Sequence, residues 1–448
     1  MSALLLLAIP LLGFASCFAS PRRRVAVAVG SIGVELLLAI TAEANSEILG
    51  ITLRVDGLNR LLVAMSSLAV AAAVVLAAHD GRRDLVPLPL LMLAPAVGAL
   101  LTRATPAVAV LMLELALLAT VPALVGEHGA GSPSVQRYVT AVVVGGTALL
   151  LTLGLADRYR TGHDPYLTRP VLALAVVGWG LLLAGFPFHF WLPPLCRGRS
   201  TFVAVTALAI VRPLGLGVFL GMFATLPWLL SDARSSLLLV AGGVAAALGS
   251  AVLSLSERHP LARLAYLSTA DVGYILVGVA TSSAPGFAGA LLASMSHTLA
   301  MLLVPASLAL RNCCGANIGW GRRSHAMRQI GTAGLAMGIV AVVAAPPGSG
   351  FVGRWMIYEA AWATSPISVA ALLAASAVTL LSALRLGREL DLPPIAGGSR
   401  GSAGTTALAL ALSVALGGAL VLAIGLYPAP LVDAVTTAVG ELSGVPAW

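Results

Sequence analysis

Hydrophobic residues fall in long blocks along this chain, each closed by a short polar connection, and the pattern repeats from one end to the other. Runs of about 18 or more apolar residues are long enough to cross a bilayer as a helix. They predict fourteen spans, near 2–20, 25–43, 60–79, 86–102, 105–125, 136–156, 170–190, 201–229, 235–256, 262–281, 285–310, 331–363, 366–386 and 405–427. Every span must be helical, because lipid offers its backbone no hydrogen-bond partner. The longest polar connection, "RNCCGANIGWGRRSHAMRQ", is too short for a soluble domain. The fold class expected is therefore an all-α membrane protein.

Composition agrees. Of 448 residues, 59% are hydrophobic and only 10% charged, too little polar material to cover a soluble domain of this size. The first block, "SALLLLAIPLLGFASCFAS", has no basic residue before it and "PRRR" after it, the reverse of a cleaved leader, and is expected to be retained.

Charge adds an orientation. All 26 basic residues are arginine. Connections after odd-numbered spans hold 17 of them and those after even-numbered spans 7, with Arg212 and Arg354 inside spans. The positive-inside rule then puts both termini on the outer side of a cell membrane. Because the net charge of +8 resides in short connections, it argues for membrane orientation and against nucleic acid. The four cysteines form no CxxC or spaced metal cluster, and only His189 and His297 among seven histidines fall in apolar stretches. Neither an iron–sulfur cluster nor a bis-histidine haem is expected, and no cofactor or metal is assigned.

Two features recur at nearly one offset. Acidic residues inside apolar runs stand at Glu114 and Asp271, 157 residues apart. Proline-interrupted spans stand at Pro187 ("GFPFHF") and Pro346 ("AAPPGSGF"), 159 apart, the second also carrying Pro347 and Gly350. The coincidence predicts two five-helix repeats, and an odd helix number inverts the second in the membrane. Interrupted spans at matching places in two halves point to a transport site. The expected organisation is an N-terminal three-helix segment (1–85), a first repeat (86–230), a second repeat (235–390) and a C-terminal helix (400–448).

A charge at bilayer depth costs roughly 2.5–3.5 kcal/mol on insertion scales and is seldom kept without a use. Glu114 ("LMLELALL") reads either as a proton-carrying carboxylate or as half of a structural ion pair with Arg212. Arg212 ("AIVRPLG") holds its proton too tightly to exchange it and supplies a fixed charge. Arg354, after "PPGSGFVG", either lines a cavity or satisfies carbonyls freed by the break. His297 ("SMSHTLAM") titrates near neutrality and suits a proton relay, or else a helix–helix hydrogen bond. His189 and Asp271 stand beside a break or near a span end, where structural roles serve equally well. Glu35, mid-span in "SIGVELLLAI", has no evident partner and its role is open.

These residues, in this order, resemble the antiporter-like subunits shared by respiratory complex I, Mrp cation/proton antiporters and group 4 membrane-bound hydrogenases. The similarity lies in "FPFHFWLPP", "RLAYLSTADVGYILVG", "SMSHTLAMLLVPASLAL" and "PPGSGFVGRWMI", with weaker motifs in "LRVDGLNRLLV" and "AIGLYPAPLVDAV". The resemblance implies about fourteen transmembrane helices, two inverted five-helix repeats, two broken helices and a central axis of buried charge. It implies the family glutamate at Glu114, the family histidine at His297, and charged positions at Arg212 and Arg354. At two positions where the family carries lysine this chain has Leu182 and Met301, which hold no proton.

The function expected is a membrane-arm subunit of a redox-driven proton- or cation-translocating complex. Its partners would be other membrane subunits, protons or monovalent cations, and the lipid bilayer. The missing lysines favour an alternative, a scaffold subunit that does not pump; a third is the membrane partner of an Mrp-type antiporter or an inorganic-carbon uptake system.

Overall fold

The computed structural model of the chain describes residues 2–20, 23–41, 46–48, 50–129, 131–162, 165–197, 201–231, 233–315, 321–390 and 405–441, and a few side chains within these, Arg212 among them, lie outside the described set. The chain is almost entirely helical. Helices α1 (Ser2–Ala19) and α2 (Arg24–Thr41) precede a short antiparallel hairpin, β1 (Ser46–Ile48) and β2 (Ile51–Leu53), paired Ser46 to Leu53. There follow α3 (Gly57–His79), α4 (Leu88–Leu101), α5 (Pro106–Leu118), α6 (Val121–His128), α7 (Pro133–Gly162) and α8 (Thr168–Leu182). Beyond the first break come α9 (Leu192–Cys196), α10 (Thr201–Val205), α11 (Val211–Thr225) and α12 (Trp228–Ser231). The remainder is α13 (Ala233–Ser256), α14 (Pro260–Ala280), α15 (Ala284–Gly315), α16 (Gly321–Val343), α17 (Gly350–Thr364), α18 (Pro366–Leu390), α19 (Thr405–Leu426) and α20 (Ala429–Gly440).

Among the described residues ten helices are long and apolar enough to cross a membrane, and four shorter apolar helices accompany them. α14 is in neither group, because Arg263, Ser268, Thr269 and Asp271 dilute its apolar content, yet nearly all of it is buried. α15 lies at the centre, with its apolar window wholly enclosed. α1, α2, α13, α18 and α19 present leucine and valine outward, as lipid-facing helices do.

The structure differs from the expected spans in places with physical causes. The expected span at 105–125 is one crossing segment, Pro106–His128, built of α5 and α6 in succession, with Pro122 in the first turn of α6, where proline's missing N–H costs nothing. The span at 331–363 is α16 and α17, interrupted at the Pro346–Pro347 segment as expected. Much of the polar connection after 310 is helical too, since α15 runs to Gly315 and α16 starts at Gly321. The hairpin and the amphipathic α20 lie outside the fourteen spans.

Both breaks begin alike. Ala184 (φ 52°) and Ala344 (φ 54°) take the left-handed conformation. The next N–H reaches back five residues, Gly185 to the carbonyl of Gly180 at 2.8 Å and Ala345 to that of Val340 at 3.1 Å. This is the Schellman closure of a helix C-terminus, formed here without glycine at its left-handed position. Shared closure at corresponding positions agrees with a repeated unit.

Helix pairs around the second break touch backbone to backbone. A methyl group built on Gly243 of α13 would lie 2.7 Å from the carbonyl oxygen of Gly273 in α14, and one on Gly353 of α17 2.6 Å from the amide of Ala293 in α15. Small residues permit this close approach, which substitutes for the hydrophobic drive that lipid does not supply.

Candidate functional site: a buried charge cluster at the second helix break

α14, α15 and α17 each deliver one ionisable side chain to a common point. Asp271, His297 and Arg354 are 3%, 2% and 4% exposed. Arg354 Nη2 lies 3.3 Å from Asp271 Oδ1, and His297 Nδ1 lies 3.3 Å from Asp271 Oδ2. The opposite imidazole nitrogen, Nε2, is 3.0 Å from Ser268 Oγ, one turn before Asp271 on α14. The ring thus lies between a hydroxyl and a carboxylate of the same helix, hydrogen-bonded through Nε2 and within ion-pair distance through Nδ1.

The break explains where Arg354 goes. α16 stops at Val343, leaving its last carbonyls without intrahelical partners. Arg354, in the second turn of α17, donates from Nη1 to Val343 O at 2.7 Å and from Nη2 to Val342 O at 3.2 Å. The guanidinium therefore closes the end of α16 and faces Asp271 as well. Arg354 thus satisfies carbonyls freed by the break, one of its two sequence readings. Its remaining face covers the ring of Tyr274, with the guanidinium carbon 4.2 Å from the ring centroid.

A second layer fixes Tyr274. Its hydroxyl donates to Leu372 O of α18 at 2.9 Å and lies 2.7 Å from Ser376 Oγ, which is 2.8 Å from Tyr358 OH. Ser296 donates to Ser349 O at 2.9 Å, tying α15 to the break itself. Ser268 and Tyr274 were not singled out from sequence. The signal was present: each stands three residues from Asp271, so helical spacing puts all three near one face.

The first break is less polar. His189 is 9% exposed, stacked on Phe186 at 5.4 Å and edge-on to Tyr266 of α14 at 5.5 Å. Through Tyr266 it adjoins the helix that carries Asp271. Glu114 is half-buried on α5 and rests against α7, since a methyl on Gly146 would lie 2.5 Å from its Oε2. Leu182 packs on the neighbouring Gly145, where a methyl would lie 3.1 Å from its Cδ2. Glu114 and Leu182 therefore meet the same double-glycine notch. No hydrogen bond or ion pair among the described residues holds Glu114. Arg212 heads α11 after a π-helical turn over Thr206–Ile210, and its side chain lies outside the described residues.

The structure joins Asp271, His297 and Arg354 into one cluster and keeps the Glu114 notch apart on α5 and α7. Met301, on α15 one turn past His297, is fully enclosed and fills space. Glu35 is also fully enclosed on α2, with neither oxygen hydrogen-bonded among the described residues. A further pair went unnoticed in the sequence: Arg103 Nη2 meets Asp56 Oδ2 at 2.5 Å, both side chains under a tenth exposed. Asp56 also accepts the Asn59 N–H at 2.9 Å as the N-cap of α3.

Interrupted helices surrounding a sealed cluster of ionisable side chains define a polytopic α-helical membrane protein with a polar interior. The chain belongs to the family described as NADH:quinone oxidoreductase/Mrp antiporter, TM, whose model matches residues 149–380. It is 27% identical over 408 residues to NADH-quinone oxidoreductase subunit N of Geotalea uraniireducens, covering 83% of each chain. It is 28% identical to subunit N 2 of Solidesulfovibrio magneticus, covering 92% of this chain and 91% of that one. Among solved structures, a chain of the Mrp complex from Dietzia sp. superposes with TM-score 0.81 at 19% identity, over 99% of this chain and 97% of that one. A chain of respiratory complex I from Thermus thermophilus superposes with TM-score 0.79 at 20% identity, over 97% of this chain and 99% of that one. These structural likenesses concern the fold.

Proposed function

We propose that this chain is a proton-translocating membrane-arm subunit of a multi-subunit complex, of the kind driven by quinone reduction. The observation that carries the reading is the sealed Ser268–His297–Asp271–Arg354 array at the second helix break. Arg354 fixes one oxygen of Asp271 and a positive charge beside it. His297 stands between the other oxygen and Ser268, so a change of tautomer moves a proton from one side of the ring to the other. In a medium of low dielectric, a charge arriving nearby shifts the balance of these groups far more than in water. The family membership and the match to subunit N relatives over most of their length support a place among other membrane subunits.

The same reading takes 1–85, 86–230, 235–390 and 400–448 as the segments of the chain, with both termini on the outer side of the cell membrane and protons as the ion carried. The test is Asp271→Asn in membrane vesicles holding the assembled complex. The expected result is proton uptake lowered at least ten-fold per electron transferred, with the subunit still incorporated. Unchanged uptake per electron would reject Asp271 as the relay acid.

One observation favours a second reading, a scaffold subunit that does not pump. Leu182 and Met301 fill sealed interior positions with apolar side chains, and Glu114 has no cation beside it among the described residues. Under that reading Asp271→Asn lowers the amount of assembled complex and leaves the proton yield of what remains unchanged.

A further inference from the structure

On the arginine-rich face of the molecule, the C-terminal ends of α13 and α18 and the N-terminal end of α14 border an open cavity of about 550 Å³. Arg258, Arg263, Arg385 and Arg388 line it, with Glu257 as the only acid among its described lining residues. That acid is already committed. Its Oε2 receives Arg197 Nη2 at 2.7 Å, and its Oε1 accepts the backbone N–H groups of Arg258 at 3.0 Å and His259 at 2.9 Å. Two of the arginines are held in place by carbonyls: Arg263 donates to Glu257 O and Arg385 Nη1 to Leu255 O at 3.2 Å. Arg258 and Arg388 are exposed, and their side chains have no hydrogen-bond partner among the described residues. The cavity also abuts the first turn of α14, where the helix dipole adds positive potential.

We propose that this cavity binds the phosphodiester headgroup of an anionic phospholipid. Planar guanidinium forks match phosphate oxygens in pairs, and basic pockets between membrane helices suit anionic headgroups. The surroundings select lipid over free phosphate. Directly inward from the cavity, Val252 of α13 and Leu381 and Leu384 of α18 are 56%, 55% and 54% exposed. They give an apolar outer surface along which acyl chains lie once the headgroup is seated. An anion that ties α13, α14 and α18 together at one end would steady the helix carrying Asp271.

The experiment measures lipid retention by native mass spectrometry on the full-length chain, in detergent supplied with equal phosphatidylglycerol and phosphatidylcholine. Wild type is expected to retain phosphatidylglycerol preferentially, with millimolar inorganic phosphate failing to displace it. Replacing the two exposed arginines together, Arg258→Gln with Arg388→Gln, should weaken that retention about thirty-fold. Arg23→Gln with Arg83→Gln removes equal charge from exposed connections elsewhere on that face and should leave retention as in wild type. Equal retention of both lipids, equal loss in the two double variants, or displacement by inorganic phosphate would each overturn the proposal.

Discussion

Arg354 and Asp271 stand 83 residues apart in the chain and 3.3 Å apart in space, and the guanidinium that faces the carboxylate also closes the last carbonyls of α16. One side chain thus neutralises an acid and ends a helix. Removing it should cost more than an ion pair alone. Arg354→Gln removes the cation paired with buried Asp271 and is expected to destabilise the protein by about 3–5 kcal/mol. Arg354→Lys restores charge but not the planar fork over Tyr274, and should fall short of wild type by about 1–2 kcal/mol. Adding Asp271→Asn to Arg354→Gln should recover part of the loss. Urea unfolding in detergent of wild type, Arg354→Gln, Asp271→Asn and the double variant provides the cycle, and strict additivity would deny the coupling.

Glycine contacts separate two kinds of tightness. Gly146 faces the end of a flexible Glu114 side chain, whereas Gly273 faces the backbone of α13. Gly146→Ala should therefore move the carboxylate and change stability by under about 1 kcal/mol. Gly273→Ala must push two helices apart and should lose about 1–3 kcal/mol or more. Thermal unfolding of the two variants checks the order, and equal midpoints would contradict the close packing.

Outside the membrane spans, the Arg197–Glu257 pair makes an acid-sensitive clasp. Burial raises the Glu257 pKa, but the Arg197 hydrogen bond, the two backbone N–H groups and the Arg197 charge outweigh it and hold the carboxyl below its usual range. A depressed folded pKa contributes stability above the ordinary carboxylate value, lost as pH falls through the folded value. The contribution should be under about 1 kcal/mol, because Arg197 is half exposed. Thermal scans at stepped pH should show wild type losing its advantage over Glu257→Gln in the acid range. A constant gap between the two proteins down to pH 3 would remove the clasp from the account.

Asp56 serves three partners, the N-terminus of α3, the buried Arg103 and the half-exposed Arg54. Asp56→Asn keeps a cap and loses the charge, while Asp56→Ala loses both. Both variants should be destabilised by about 3–5 kcal/mol through the buried arginine they strand. The alanine should be worse by a further ~1 kcal/mol for the cap. Chemical denaturation of both variants measures the difference.

The breaks were legible because proline and glycine inside an apolar run have few other uses, so Pro187 and Pro346 mark them without any knowledge of partners. The membrane class was legible for a similar reason, since block length alone excludes a soluble core. What the chain hid was pairing. Asp271 lies midway along its span but shows no partner in sequence; α15 and α17 fold over it and bury it. Arg103 and Asp56 each sit in short polar connections that read as solvent-facing, and only the packing of α3 beside α4 seals them together. Glu114 showed the reverse, a mid-span acid that rests half-buried against a glycine notch.

The contact of Gly243 with Gly273 leaves no slack on one flank of the α14 rod. A rod pressed against its neighbour's main chain has little room to roll or slide on that side. In the proposed relay, a change of charge at Asp271 would be accommodated across from this flank, by the histidine ring and the two interrupted segments, the compliant parts around a rigid mount.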